Sequence, residues 1–277
     1  MSRQPRCLRR HPRLTEHHHM LLGVRANRRA IGSVEPMTVF VSPDPESLAT
    51  FAASLVAAKI REWAGDTVTL AMAGGSTPKA MYHVLETLDV PWDKVHAWVG
   101  DERFVGQDHP DNNGAMARHE LLDAVGAPVS LVPWREGADP HELAAEYEHT
   151  LVGILDHDES GPRPDLILAG IGDDGHTLSL FPGTEALDIT DRWYVANWVE
   201  QKQTWRLTAT FPLAHRARLI MLLVAGVGKA EALAEILEPT ADERLPAARL
   251  MDGEAEVVWL VDHQAASLLH RTRLEHG

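Results

Sequence analysis

The sequence predicts an α/β protein built on a mostly parallel sheet with helices on both faces. Three observations carry that prediction. Strand-like and helix-like segments alternate from residue 38 to the end of the chain. The strand-like segments are nearly all apolar, as strands buried on both faces are. Several run straight into glycines, which is how open α/β sheets build sites at the carboxyl ends of their strands.

In chain order, Thr38 to Val41 reads as a strand. Pro45 to Trp63 reads as a helix, with Ala, Leu, Val and Ile recurring at three and four and Gly65 as its stop. Val68 to Ala73 is an apolar strand. Gly74-Gly75-Ser76-Thr77-Pro78 comes next, with Ser76 or Thr77 expected to cap a helix that runs to about Leu88. Val95 to Val99 is a strand, Asn112 to Val125 a helix, Val129 to Val132 a strand and Pro140 to Leu155 a helix. Asp165 to Ala169 is a short buried strand. Tyr194 to Val199 and Trp205 to Thr210 alternate apolar and polar residues, so they are expected as antiparallel additions at an edge of the sheet. Arg218 to Ala225 is a strongly apolar strand, followed by a helix to about Leu237. Glu256 to Val261 is the last strand and His263 to Arg271 the last helix.

Composition bounds the function. The chain has 277 residues, a formal charge of -14 and one cysteine, Cys7. A single cysteine excludes a disulfide framework and a cysteine metal site, and fits a reducing cytoplasm. No apolar run approaches the ~20 residues that span a bilayer. Residues 1 to 36 carry eight Arg and two Glu, so the acidic excess lies in the rest of the chain. An acidic body argues against nucleic-acid binding, which needs cationic surface. Residues 1 to 36 also lack apolar periodicity. They are expected to be a disordered tail, or a leader upstream of a true start at Met37; an Arg-rich, acid-poor stretch is also the composition of a transit peptide. Residues 37 to 277 are expected to form one domain.

The stretch from 165 to 183, DLILAGIGDDGHTLSLFPG, holds the chemistry. Gly170-Ile171-Gly172-Asp173-Asp174-Gly175 matches a GxGxxG pattern. Two aspartates in the loop would repel a pyrophosphate, however, and Pro182 comes too soon for the helix a dinucleotide site requires. Gly226-Val227-Gly228-Lys229 is no P-loop: its first glycine would fall at Leu223, and Ala230 stands where Ser or Thr must hold magnesium. There is no GxSxG elbow and no HExxH spacing. The remaining candidate is His176, two residues after Asp174 in a glycine turn at a strand end. That pairing suits a general base with a carboxylate to orient it. Around it, Gly74, Gly75, Ser76 and Thr77 form a glycine turn at a helix start, where backbone N–H groups favour an anion. Asp101 and Arg103 come after another strand end, Lys229 after a third, and Arg206 lies in the alternating strand. An Arg can grip phosphate bidentately. The set points to metal-free acid–base work on a phosphorylated small molecule.

At this point the residues resemble a known family. GIGDDGHTLSLFPG resembles the signature of 6-phosphogluconolactonases, and the resemblance extends to AMAGGSTPKAMYHVL, VGDERFVGQDHPDNNGAMARHELL, RLTATFPLAHRARLIMLLVAGVGKAEAL and VVWLVD. It covers residues 38 to about 270 in collinear order. It implies a Rossmann-like three-layer fold shared with sugar-phosphate isomerases and deaminases, no cofactor, and hydrolysis of 6-phospho-D-glucono-1,5-lactone in the oxidative pentose phosphate pathway. It implies His176 and Asp174 as catalytic residues. Gly74, Gly75, Ser76, Thr77, Asp101, Arg103, Gly172, Arg206 and Lys229 are implied as substrate contacts. The deaminase relatives carry Asn-Glu-Pro after the shared DGH, where this chain has Leu180-Phe181-Pro182. Leu178 stands where Ala is more common. The expected partner is the sugar lactone alone, with no nucleic acid and no membrane, in a monomer or small homo-oligomer.

Overall fold

Alternation of side chains along each strand explains why the sheet must be covered twice. In Leu219–Val224, Leu219, Met221 and Leu223 pack into one apolar cluster; Ile220, Leu222 and Val224 pack into another on the opposite face. A fully buried Leu or Ile contributes about 1.5–3 kcal/mol, so neither face tolerates water. The computed structural model describes residues 22–26, 37–241 and 243–270.

The elements are β1 (Leu22–Ala26), β2 (Met37–Ser42), α1 (Pro45–Trp63), β3 (Val68–Met72), α2 (Ser76–Leu85), β4 (Val95–Val99) and β5 (Asp101–Arg103). Then come α3 (Asn113–Ala117), α4 (Asp123–Val125), β6 (Val129–Ser130), α5 (Pro140–Ile154), β7 (Asp156–Asp158), β8 (Gly161–Arg163) and β9 (Leu166–Ala169). β10 (Tyr194–Val199), β11 (Thr204–Ala209), α6 (Phe211–Ala214), β12 (Leu219–Val224), α7 (Ala230–Leu237), α8 (Pro246–Arg249) and β13 (Glu256–Asp262) complete the chain.

The main sheet has the order β1-β2-β13-β12-β9-β3-β4-β6. All its pairings are parallel except β1 with β2. Helices α1 and α2 cover one face; α5, α7 and α8 cover the other. Helix α1 begins as its sequence dictates: Asp44 accepts the Ser47 N–H at 2.7 Å and Pro45 sits in the first turn. From β3 the chain moves outward to β4 and β6, then returns to β9 on the other side of β3 and moves outward again to β12 and β13. The carboxyl ends of β3 and β9 therefore flank the crevice where strand order reverses, the place at which open α/β sheets bind ligands.

The structure departs from the sequence expectations at four places. Strands β10 and β11 are not edge additions to the main sheet. With β5 they form a separate three-stranded antiparallel sheet, β10-β11-β5. The chain turns out of β4 at Gly100, whose carbonyl accepts the Ala209 N–H at 2.9 Å, and this brings the half-exposed strands beside the strand ends. The helix expected over 112–125 is interrupted by a π-turn at Arg118–Leu122. The final helix is only a single turn, Ala265–Leu268, after which Leu269 is extended; Arg271 lies outside the described residues. Within the stretch expected as a tail, Leu22–Ala26 pairs antiparallel with Met37–Val41; the remainder of 1–36 lies outside the described residues. No helix among the described residues is long and apolar enough to cross a membrane.

Candidate active site

Strand β9 ends at Ala169, and glycines shape the turn beyond it. Gly172 donates its N–H to the His176 carbonyl at 2.8 Å, and Gly175 donates to the Gly172 carbonyl at 3.1 Å. Gly175 takes φ +77, the left-handed region that favours glycine. This tight turn folds His176 back so that its Nδ1 meets Asp174 Oδ1 at 2.5 Å. The pair lies directly on Gly172: a Cβ there would stand 2.0 Å from His176 Nδ1 and 2.3 Å from Asp174 Oδ1. Gly172→Ala is therefore expected to push the imidazole off its carboxylate. Misplacement of about 1 Å can cost 10²-fold in rate, so turnover should fall by about 10²-fold while circular dichroism stays native. Retained turnover would show that the pair need not sit there.

The imidazole is fixed from two sides. Phe181, in the Phe181-Pro182 segment, stacks on it with ring centroids 3.9 Å apart and planes at 21°. With Nδ1 held by Asp174 and one ring face covered, Nε2 is the nitrogen left for chemistry. Burial pushes the Asp174 carboxyl up, but the His176 hydrogen bond and charge outweigh it and hold the group below the usual carboxylate range. Leu178, two residues on, is buried at φ +52, a conformation rare for a non-glycine residue. Its side chain lies against Gly100, where a Cβ would come within 3.0 Å of it.

The opposite wall comes from β5 and β11. Period-two alternation sends Asp101 and Arg103 toward the cavity and Glu102 away from it. Glu102 is 2% exposed. Its carboxylate accepts the N–H groups of Arg103, Asn113 and Gly114 at 2.8, 2.7 and 2.8 Å, tying β5 to the start of α3. Burial nevertheless raises its carboxyl to about 7, against the pull of those donors. A raised folded-state value means the native protein holds this proton more tightly than the unfolded chain. The stability it contributes is complete below about 4.5 and is lost as pH rises through about 7. Urea titrations across that window should show declining stability for the native protein and a flatter profile for Glu102→Gln; parallel profiles would rule out the assignment.

Arg103 and Arg206 are directly opposed across β5 and β11. Like charges facing each other destabilise a strand pair. Among the described residues, the Arg103 guanidinium donates only to the Asp111 carbonyl, at 2.8 Å, and the Arg206 guanidinium makes no hydrogen bond or ion pair. Burial first, and Arg103 second, lower the Arg206 guanidinium below its ordinary range. Two half-buried arginines face each other in a chain of net charge -14, and neither guanidinium forms an ion pair among the described residues. Asp101, Asp111 and Glu102 lie near enough to favour the Arg206 charge, and Asp101 also accepts the Ser179 hydroxyl at 2.6 Å. Such an arrangement is suited to an anion supplied from outside.

These walls enclose a cavity of about 380 Å³ lined by Gly74, Asp101, Arg103, His176 and Arg206, five of the residues expected from the sequence. Gly172 and Asp174 stand behind His176. Gly75 and Ser76 line a neighbouring cavity of about 520 Å³ that shares Arg103, and Thr77 lines neither. Neither Ser76 nor Thr77 caps α2 through its side chain; Gly75 occupies the cap position at φ +106. Gly74 has no room for a side chain: a Cβ there would fall 1.9 Å from Asn113 Oδ1. Lys229 also lines neither cavity and instead forms an ion pair with Asp173. Sequence reasoning passes over Asn113, Ser179 and Lys202, which line the main cavity. Asn113 donates to the Asp101 carbonyl at 2.8 Å, while its own Oδ1 is buried without a partner.

The family model described as glucosamine-6-phosphate isomerases/6-phosphogluconolactonase matches residues 43–259. The chain belongs to this family. It is 44% identical over 205 residues to a Synechocystis protein named 6-phosphogluconolactonase, covering 73% of this chain and 84% of that one. A Nostoc protein of the same name is 37% identical over 243 residues, covering 84% and 98%. Among solved structures, the 6-phosphogluconolactonase of Trypanosoma brucei superposes with a TM-score of 0.77 at 27% identity, covering 86% of this chain and all of that one. A monomeric glucosamine-6-phosphate deaminase superposes with a TM-score of 0.69 at 25% identity. The fold thus spans both branches of the family. Where the deaminase pattern places a carboxylate after the shared DGH, this chain has buried Leu180 and Phe181, and the Phe181 ring is stacked on His176.

Proposed function

We propose that the protein hydrolyses 6-phospho-D-glucono-1,5-lactone to 6-phospho-D-gluconate. The observation that carries this reading is the placement of the opposed Arg103–Arg206 pair and the His176–Asp174 pair on facing walls of one small cavity. The arginines take the phosphate; charge-assisted contacts of this kind contribute roughly 1.5–3 kcal/mol each. That grip sets the lactone carbonyl beside His176.

The chemistry then needs one proton carrier and no carbon-bound proton. Asp174 holds Nδ1–H, which fixes the tautomer with Nε2 unprotonated. Nε2 takes a proton from water as the water oxygen bonds to C1. The carbonyl becomes a tetrahedral oxyanion, whose donors must be other than the Gly172 and Gly175 N–H groups, since both are used within the turn. Collapse breaks the bond from C1 to the ring oxygen, and His176 returns its proton to that oxygen. Asp101, Ser179 and Asn113 supply polar contacts for sugar hydroxyls. Lys229 is a less direct phosphate candidate than the sequence suggests, because Asp173 already holds it.

The test is to incubate the protein with freshly made lactone and, in parallel, with glucosamine 6-phosphate. Acid release from the lactone above its spontaneous opening is expected. Ammonia from the amino sugar, without acid from the lactone, would move the protein to the deaminase branch.

A further inference from the structure

We infer that Lys202 is a third phosphate-binding cation, delivered to the cavity by the tip of the β10–β11 hairpin. The inference rests on the lactonase reading and names a residue that selects the phosphorylated form of the substrate.

The hairpin tip is a short turn, Glu200–Lys202, followed by Gln203 at φ +50. Lys202 lines the same cavity as Arg103 and Arg206. It makes no ion pair or hydrogen bond among the described residues. In an acidic chain this needs a reason, since Glu200 lies only two residues away. The reason is that Glu200 is taken. Its Oε2 accepts the Trp198 indole N–H at 2.7 Å, and its Oε1 accepts from Gln203 Nε2 at 2.7 Å. The turn is stiffened where it leaves the strands: Trp198 and Trp205 are cross-strand partners, with ring centroids 5.5 Å apart in an edge-to-face arrangement. The other acid at the cavity, Asp101, is engaged by Ser179. The tip therefore carries a cation, holds its own carboxylate on Trp198 and Gln203 and out of an ion pair with the lysine, and presents the lysine to a space that already holds two opposed arginines. A dianionic phosphate is the group that three such cations match. An uncharged hydroxymethyl end gains nothing from Lys202, so the lysine acts on selectivity.

The experiment compares kcat/KM for 6-phosphogluconolactone and for unphosphorylated gluconolactone in the native protein, Lys202→Met and Lys202→Arg. Met keeps the aliphatic stem on an exposed turn. Loss of one charge-assisted contact should lower the phosphorylated-over-unphosphorylated ratio by about tenfold to a hundredfold, and Arg should restore most of it. A ratio unchanged in Lys202→Met would overturn the inference. A second arm leaves the lysine in place: Trp198→Phe with Gln203→Ala frees Glu200 to pair with Lys202, and KM for the phosphorylated lactone should rise. If the native protein turned over neither lactone, the lactonase reading itself would fall. Calorimetric binding of 6-phosphogluconate and gluconate to the native protein and to Lys202→Met would still decide the role of Lys202.

Discussion

His176→Ala should lower turnover of the phosphorylated lactone by about 10²–10⁴-fold, the usual weight of a positioned general base, with KM little changed. The size of the effect reflects how completely the site is built around one nitrogen. Asp174 fixes Nδ1 at 2.5 Å, Phe181 covers a ring face at 3.9 Å, and Gly172 is kept free of a side chain so that the pair fits. None of these groups is hydrogen-bonded or ion-paired to Arg103 or Arg206 among the described residues, so binding should survive the loss of the ring. Steady-state kinetics on freshly prepared lactone, corrected for spontaneous opening, reads both parameters. Turnover at the native level would remove His176 from the mechanism. A large rise in KM with unchanged kcat would make it a binding residue instead.

The second large effect concerns Arg206, and its two parts have opposite consequences. Arg206→Met keeps the aliphatic stem and removes the charge. With phosphate absent, that removal relieves a like-charge contact with Arg103, and cross-strand pairs of this kind are worth roughly 0.2–1 kcal/mol. The ligand-free variant should therefore be as stable as the native protein or slightly more so. With substrate, one charge-assisted contact is gone, and KM should rise by about tenfold to a hundredfold while kcat holds. Arg103→Ala should act on KM in the same direction, although its bond to the Asp111 carbonyl makes its effect on stability harder to read. Thermal melts in the absence of ligand, set beside KM, separate the two parts. A destabilised Arg206→Met with normal KM would mean that the arginine serves the fold and not the ligand.

Most of the parallel sheet was legible because its physics is local. Apolar runs such as Leu219–Val224 can only be strands buried on both faces, and glycines at their ends mark the edge where sites form. The His176–Asp174 pair was legible for the same reason, since both residues lie in one turn. The features that escaped depend on register between distant segments. The opposition of Arg103 and Arg206 is a property of the β5–β11 pairing, and nothing within either segment announces that they face each other. At Gly74, the residue that leaves no room for a side chain is Asn113, thirty-nine positions away, which nothing in the glycine turn itself announces. Lys229 was read from its position at a strand end; its ion pair with Asp173 depends on how the two loops meet and is not visible in either segment alone. Lys202 is the converse case. Its sequence neighbour Glu200 suggests an ion pair, whereas in the structure Glu200 is bonded to Trp198 and Gln203 and Lys202 lines the cavity.

One measurement bears on the central claim most directly: a pH-stat record of acid release from freshly made 6-phospho-D-glucono-1,5-lactone with buffer alone, with the native protein and with His176→Ala. The predicted result is rapid acid release with the native protein and a rate with His176→Ala that falls most of the way back to the spontaneous one. A native rate no faster than buffer alone would contradict the lactonase assignment, and equal rates for the two proteins would contradict the role given to His176.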